Sequence, residues 1–196
     1  SVETRYQDTF SDVARIYDVG YREMMAANPT VDAWLPGKGT EVVVPTSFVL
    51  PEGPHKGIVI NLAELRLYYF PEGENRVITF PLGIGREGWN TPTGNGRIVR
   101  KKEHPTWTPP ESIREEAREQ GEELPARVEP GPDNPLGDYA LYLSIPGYLL
   151  HGTNKPYGVG MRVSHGCMRL YPEDIAELFP QVPVGTPIRI INQPYK

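Results

Sequence analysis

Cysteine occurs once among the 196 residues, and that scarcity is the first constraint on the chain. A single thiol forms no intrachain disulfide, so nothing covalent braces the fold, and a lone free thiol asks for a reason of its own. Long apolar runs are also missing: no stretch approaches the roughly 18 residues that a membrane-crossing helix needs. The opening SVETRYQDTF lacks both the basic start and the apolar centre of a secretory signal, so any such signal is expected to have been removed or never present. Net positive charge is absent as well. At −5 the chain has the wrong sign for a nucleic-acid surface, and no nucleic-acid partner is expected. Its one basic cluster, Arg97, Arg100, Lys101 and Lys102, reads as a solvated strand edge. With 38% hydrophobic residues the chain can still bury a core.

What is present concentrates in HGTNKPYGVGMRVSHGCMRL, His151 to Leu170, which holds the lone cysteine and two of the four histidines. A free cysteine has a pKa of about 8.5 and needs a neighbouring base or positive field to attack a carbonyl at neutral pH. Between His151 and Cys167 stand Pro156 and three glycines, Gly152, Gly158 and Gly160, enough for a strand, a loop and a return. The pair is a candidate base and nucleophile. Gly166 clears space for a substrate backbone, and consecutive N–H groups in such a turn can form an oxyanion pocket. Arg169 is suited to meet a carboxylate or carbonyl. Two other readings stand beside this one: Cys167 as a small buried apolar residue, and a metal site of His151, His165 and Cys167, which lacks a fourth ligand and the familiar spacings.

The order HGT, ten residues, then SHGCMRL resembles the active-site signature of the L,D-transpeptidases, the YkuD-type catalytic domain that acts on bacterial peptidoglycan. GIGREGWNTPTG, Gly83 to Gly94, is similar to that family's glycine-rich strand end and TPTG turn. PDNPLGDYALYL, Pro132 to Leu143, resembles its enterobacterial, lipoprotein-attaching branch, the ErfK/YbiS/YcfS/YnhG-like group. The resemblance covers roughly residues 56 to 192. It implies Cys167 as nucleophile, His151 as proton acceptor and donor, and the Gly152 carbonyl as orienter of the imidazole. Ser164, His165, Gly166, Arg169 and Thr153 would line the substrate and oxyanion side, with neither metal nor cofactor. The implied reaction opens a stem tetrapeptide at its third residue, releases D-alanine and passes the acyl group to an amine, in a 3-3 cross-link or on a wall-attached lipoprotein. Carbapenem-type β-lactams would acylate the same thiol, and the location would be the periplasm or cell envelope. A thiol hydrolase, acting as carboxypeptidase or amidase on the same peptides, would need the same pair. A non-catalytic wall-binding protein would not.

Residues 1–46 form a separate unit in composition. Thr9, with Asp12 three positions on, opens a short helix whose Phe10, Val13, Ala14 and Tyr17 share a face, and a second helix runs from Tyr21 to Asn28 before Pro29. A strand over Thr40 to Val44 is expected to pair with one beginning at Tyr6. This βααβ order, with DTFSDVARIYDV, ANP and LPGKGTEVVVP, is similar to a LysM module, a family that binds glycans containing N-acetylglucosamine; Gln7 stands where that family usually has glycine. The alternative is a small packing unit without glycan affinity. Residues 47–55 read as a linker and 56–196 as a mainly β catalytic domain, a two-sheet sandwich. In it an alternating hairpin turns near Leu62 to Glu64, and a strand delivers His151 at a sheet edge. The stretch from about 104 to 136, rich in Pro, Glu and Arg with a charged helix over Glu111 to Glu119, is expected to be a lid-like insertion anchored by Trp107.

Overall fold

The computed structural model describes residues 1–86 and 91–196; residues 87–90, the middle of the GIGREGWNTPTG run, lie outside the described residues. The chain opens with β1 (Val2–Glu3), α1 (Phe10–Ile16), α2 (Tyr21–Ala27) and β2 (Glu41–Val42), and β1 pairs with β2 antiparallel. Thr9 caps α1 reciprocally with Asp12: the Thr9 hydroxyl accepts the Asp12 N–H at 3.3 Å, and the Asp12 carboxylate accepts the Thr9 N–H at 2.8 Å. Phe10, Val13, Ala14, Val19, Met24 and Val42 form this unit's core. Buried Asn28 ties α2 to β2 by donating to Met24 O at 2.9 Å and Val43 O at 2.8 Å and accepting the Val43 N–H at 2.7 Å. The mate of β2 therefore begins at Val2, and the expectation of a strand from Tyr6 is corrected. The Arg5 N–H turns onto the Asp8 carboxylate at 2.7 Å, which takes the chain out of the ladder and leaves Tyr6 83% exposed.

The second unit continues with β3 (Gly57–Asn61), β4 (Arg66–Phe70), β5 (Ile78–Pro81), β6 (Ile84–Gly85), β7 (Gly94–Glu103), α3 (Glu111–Glu119), β8 (Tyr139–Leu143) and β9 (Leu149–His151). After a 3-10 turn at Pro156–Gly158 come β10 (Arg162–Ser164), β11 (Met168–Arg169), α4 (Pro172–Gln181) and β12 (Pro187–Ile191). Eight of the strands make one sheet in the order β11-β9-β8-β7-β12-β3-β4-β5, and β6 pairs with β10 beside it. The fold is mainly β, and the two layers expected of a sandwich are halves of one curled sheet. The curl closes. Just past β5, the Gly83 N–H donates to Arg169 O at 2.8 Å and the Arg169 N–H returns to Gly83 O at 2.9 Å, so the two ends of the sheet meet. A Cβ on Gly83 would lie 2.5 Å from Gly158 O, so this approach requires glycine.

Two other expectations shift. His151 is not on an edge strand, because the return after the signature runs alongside β9 as parallel β11, with Arg169 opposite His151. The β3 residues do not alternate between core and solvent; all five are buried. Residues 47–55 account for this, since they lie across the outer face as a strap. The Phe48 ring sits 3.7 Å from the Arg66 guanidinium, and Val49 O accepts the Tyr68 hydroxyl at 3.4 Å.

Arg66 also joins the two units. It is fully buried, and its Nε and Nη2 donate to the two Glu23 carboxylate oxygens at 2.8 Å each, while Nη1 reaches Thr79 Oγ1 at 3.1 Å. Around it the Tyr171 hydroxyl donates to Val19 O at 3.2 Å, and Arg15 pairs with Glu173 at 2.8 Å. Removing one partner of a buried pair strands the other charge. Glu23→Ala is therefore expected to cost about 3 to 5 kcal/mol in urea unfolding, and a loss within experimental error would reject Arg66–Glu23 as the joint.

The same boundary holds two buried carboxyls, Asp18 and Asp174, which lie close enough to share a side-chain hydrogen bond when one of them is protonated. Burial, with Asp18 close by, pushes Asp174 up to about 9. A carboxyl raised on folding binds its proton more tightly in the native state, so its stabilisation is fully present below the ordinary carboxylate range and is lost as pH rises through about 9. Asp174→Asn should flatten that decline, making the variant more stable than the parent at pH 9 and not at pH 4 in thermal melts. Equal differences at both pH values would contradict the assignment.

Candidate active site

His151 ends β9 and is buried, at 5% exposure. Its Nδ1–H donates to the carbonyl of Gly152, which fixes the tautomer and leaves Nε2 as the acceptor nitrogen of a neutral ring. Gly152 itself is held by its N–H to Tyr139 O at 3.2 Å, and a Cβ there would come within 3.1 Å of Ile175. Burial, and then the charge of Arg169, lower the His151 pKa to about 4 against the opposing Gly152 hydrogen bond. Cys167 is half-buried, directly before β11; burial raises its thiol while Arg169 lowers it. Arg169 is thus the neighbour that both groups feel. The ladder supports the juxtaposition, with Arg169 opposite His151 and the Leu170 N–H donating to His151 O at 2.9 Å. The arrangement is a neutral imidazole and a thiol near neighbouring strand ends, each under the influence of the Arg169 charge.

The turn that carries Cys167 is tightly specified. Gly166 adopts φ +95°, a region costly to any other residue. The Ser164 hydroxyl donates to Cys167 O at 2.6 Å, and the Thr91 hydroxyl donates to Gly166 O at 3.1 Å. Thr153 accepts the Lys155 N–H at 2.9 Å. Ser164 and Thr153, expected on the substrate side, are in this structure shaping turns. His165 points to the insertion, its Nε2 2.9 Å from Glu116 Oε2 and 3.4 Å from Arg86 Nη2. His151, His165 and Cys167 are therefore not gathered as a ligand set, and no group of three His, Cys, Asp or Glu side chains able to hold a metal occurs among the described residues. Arg169 lies between Gly83 and Gly158, where a Cβ would come within 2.9 Å of its Cγ or 3.2 Å of its Nη1. Its Nε is buried without a hydrogen-bond partner among the described residues, a donor suited to an incoming carbonyl or carboxylate.

Sequence reasoning missed Arg86, Thr91 and Glu116. Arg86 and Thr91 sit inside the GIGREGWNTPTG run and so carried some signal; Glu116 is one acid among several in α3 and carried none. Trp107 exchanges backbone hydrogen bonds with Val128 at 2.9 and 2.8 Å within the insertion itself, and Glu116 is the residue that reaches the signature. Buried Asn134 staples the neck by donating to Pro105 O at 2.9 Å. A groove of about 1030 Å³ opens elsewhere, between the β4–β5 turn and the approach to β12, and holds none of these residues.

The family match agrees with this arrangement. The L,D-transpeptidase catalytic domain matches residues 55–190, and the chain belongs to that family. It is 52% identical over 181 residues to YbiS of Escherichia coli K12, a probable L,D-transpeptidase, covering 92% of this chain and 59% of the relative. It is 49% identical over 188 residues to YcfS of the same organism, a relative of the same description, covering 94% of this chain and 59% of that one. The chain thus spans about three fifths of the length of these relatives. Among solved structures, an Enterococcus faecium L,D-transpeptidase superposes with a TM-score of 0.52 at 19% identity, over 70% of this chain and 50% of that one. A Mycobacterium smegmatis L,D-transpeptidase gives 0.50 at 22% identity, over 69% and 58%. At such identities these two bear on the fold alone.

Because burial raises the Cys167 thiol, its thiolate should accumulate only on the alkaline side. Alkylation by iodoacetamide should climb continuously with pH through and beyond the ordinary thiol range. A plateau of full reactivity between pH 5 and 7 would mean that a preformed thiolate-imidazolium pair exists instead.

Proposed function

We propose that this chain carries the catalytic domain of a cysteine-dependent L,D-transpeptidase acting on peptidoglycan stem tetrapeptides. The observation that supports the reading is that Cys167 directly precedes β11, which pairs with the strand ending in a tautomer-fixed, neutral His151, and that Arg169 influences both groups. His151 Nε2 takes the Sγ proton as sulfur attacks the carbonyl of the third stem residue. In this reading backbone N–H groups of the Gly166 turn serve as donors to the developing oxyanion. The tetrahedral adduct then expels D-alanine, whose amine leaves with the proton held by His151, and a thioester remains on Cys167. An acceptor amine attacks that thioester, loses a proton to His151 and leaves as the new amide. The acceptor is a stem-peptide amine, giving a 3-3 cross-link, or the lysine of a wall-attached lipoprotein. Water in place of the amine makes the same site a carboxypeptidase.

The location that fits such a substrate is the periplasm or cell envelope, and carbapenem-type β-lactams fit as acylating agents of Cys167. Residues 1–46, similar to a LysM module, supply the glycan contact in this reading. Trp34 and Tyr6, 64% and 83% exposed, offer aromatic faces of the kind on which sugar rings stack.

A purified disaccharide tetrapeptide tests the chemistry. The parent should release D-alanine; Cys167→Ala should release none, and His151→Ala should be slower by roughly 10² to 10⁴, both with unchanged melting. Activity in Cys167→Ala would sink the mechanism, and product masses would divide cross-linked from hydrolysed tripeptide. The tether needs a gentler probe than deletion of residues 1–46, which would strand buried Arg66. Trp34→Ala should weaken co-sedimentation with intact sacculi while soluble-donor turnover holds. Undiminished sedimentation of both Trp34→Ala and Tyr6→Ser would remove the glycan role.

A further inference from the structure

α3 lies in the insertion, and its surface is mostly polar; Ala117 is its one buried residue. Its ion pairs from Glu111 to Arg114 and Arg118 stay within the helix. Glu116 is different, because both of its carboxylate oxygens reach partners outside the insertion, Oε1 while also accepting from Gln120 Nε2 at 3.3 Å. Oε1 takes Arg86 Nη2, and Oε2 lies 2.9 Å from His165 Nε2. Each partner leads to the nucleophile within one or two further bonds. His165 is two residues before Cys167 in the chain, separated from it by Gly166 at φ +95°. The Arg86 N–H donates to Ser164 O at 2.9 Å, and the Ser164 hydroxyl donates to Cys167 O at 2.6 Å. One carboxylate therefore grips both strands of the β6–β10 pair at the point where they hand over to the Cys167 turn.

We propose that Glu116 is a positioning residue, which pins the turn bearing Cys167 to the insertion through Arg86 and His165. The proposal rests on reading Cys167 as the nucleophile, and it makes the insertion part of the site's geometry. Charge-assisted bonds of this kind are about twice as strong as neutral ones and specify direction. Arg86 and the ring of His165 are each partly exposed, so water can take the place of the lost carboxylate. The turn then loses its outer support while the Ser164 and Thr91 bonds keep it folded. The expected consequence is a nucleophile that is present but misaimed, which lowers turnover more than binding. Glu116 is held well below the usual carboxylate range, chiefly by Arg86 and, after burial's opposing effect, by His165, so the grip persists across the neutral range.

The experiment compares Glu116→Ala, Glu116→Gln and Glu116→Asp with the parent chain. It measures steady-state release of D-alanine from a disaccharide tetrapeptide, melting temperature, trypsin cleavage after Arg114 and Arg118, and iodoacetamide alkylation of Cys167. We expect kcat to fall about tenfold in the Ala and Gln variants while KM changes by less than about twofold. Glu116→Asp should recover part of the loss, melting should be unchanged, and cleavage in α3 should be faster in the Ala variant. Parental kcat in both Ala and Gln variants overturns the proposal, as does a fall in kcat shared equally by Glu116→Asp and tracked by a fall in melting. A parent inert toward the donor defeats the functional reading instead. The pinning is then judged by alkylation and cleavage, where Glu116→Ala rates equal to the parent's overturn it and altered rates uphold it.

Discussion

Two backbone hydrogen bonds between Gly83 and Arg169 close the sheet, and the site depends on that seam. Strands separated in sequence by most of the domain are brought edge to edge there, so β11 lies between the end of β9 and the continuation of β5. The seam puts Arg169 opposite His151 in the ladder and places Cys167 at the mouth of the turn just before it. It also explains the glycines. Gly83 and Gly158 leave room for the Arg169 side chain, whose charge is felt by both His151 and Cys167. A cation beside two desolvated neutral groups keeps His151 deprotonated and offsets part of the cost of forming a thiolate.

The N-terminal unit and the catalytic unit share a polar joint around Arg66. Buried ion pairs contribute little net stability, but once formed they tolerate few alternatives. Glu23 engages Arg66 in bidentate fashion, so the first unit has a defined orientation on the second. The joint also touches the loop that leads to the Cys167 turn: Gly160, at φ +77°, would place a Cβ 2.3 Å from Tyr21 N. Any load on residues 1–46 therefore acts on the frame of the site, and the two units are better regarded as one mechanical body than as beads on a string.

Local signals in the sequence were legible wherever a few neighbouring residues decide the outcome. Thr9 and Asp12 announced their helix, and the charged run from Glu111 to Glu119 marked α3. The signature put forward Cys167 and His151 as candidates through its residue types and spacing. What could not be read were contacts between residues far apart in the chain. Arg66 with Glu23, Glu116 with His165, and Gly83 with Arg169 pair across 43, 49 and 86 positions, and nothing in either member's neighbours marks the partner. The β3 strand misled for a related reason: its second face is covered by a strap, and a strand buried on both faces loses its alternation.

The central claim, that acyl transfer passes through a thioester on Cys167 assembled at this seam, is tested most directly by trapping the intermediate. The chain would be mixed with a disaccharide tetrapeptide, quenched in acid within the first turnovers and weighed intact, then digested to locate the added mass. The account predicts an adduct equal to the donor less one D-alanine, on the peptide that contains Cys167. D-alanine release without an adduct there, or an adduct on another residue, would contradict it.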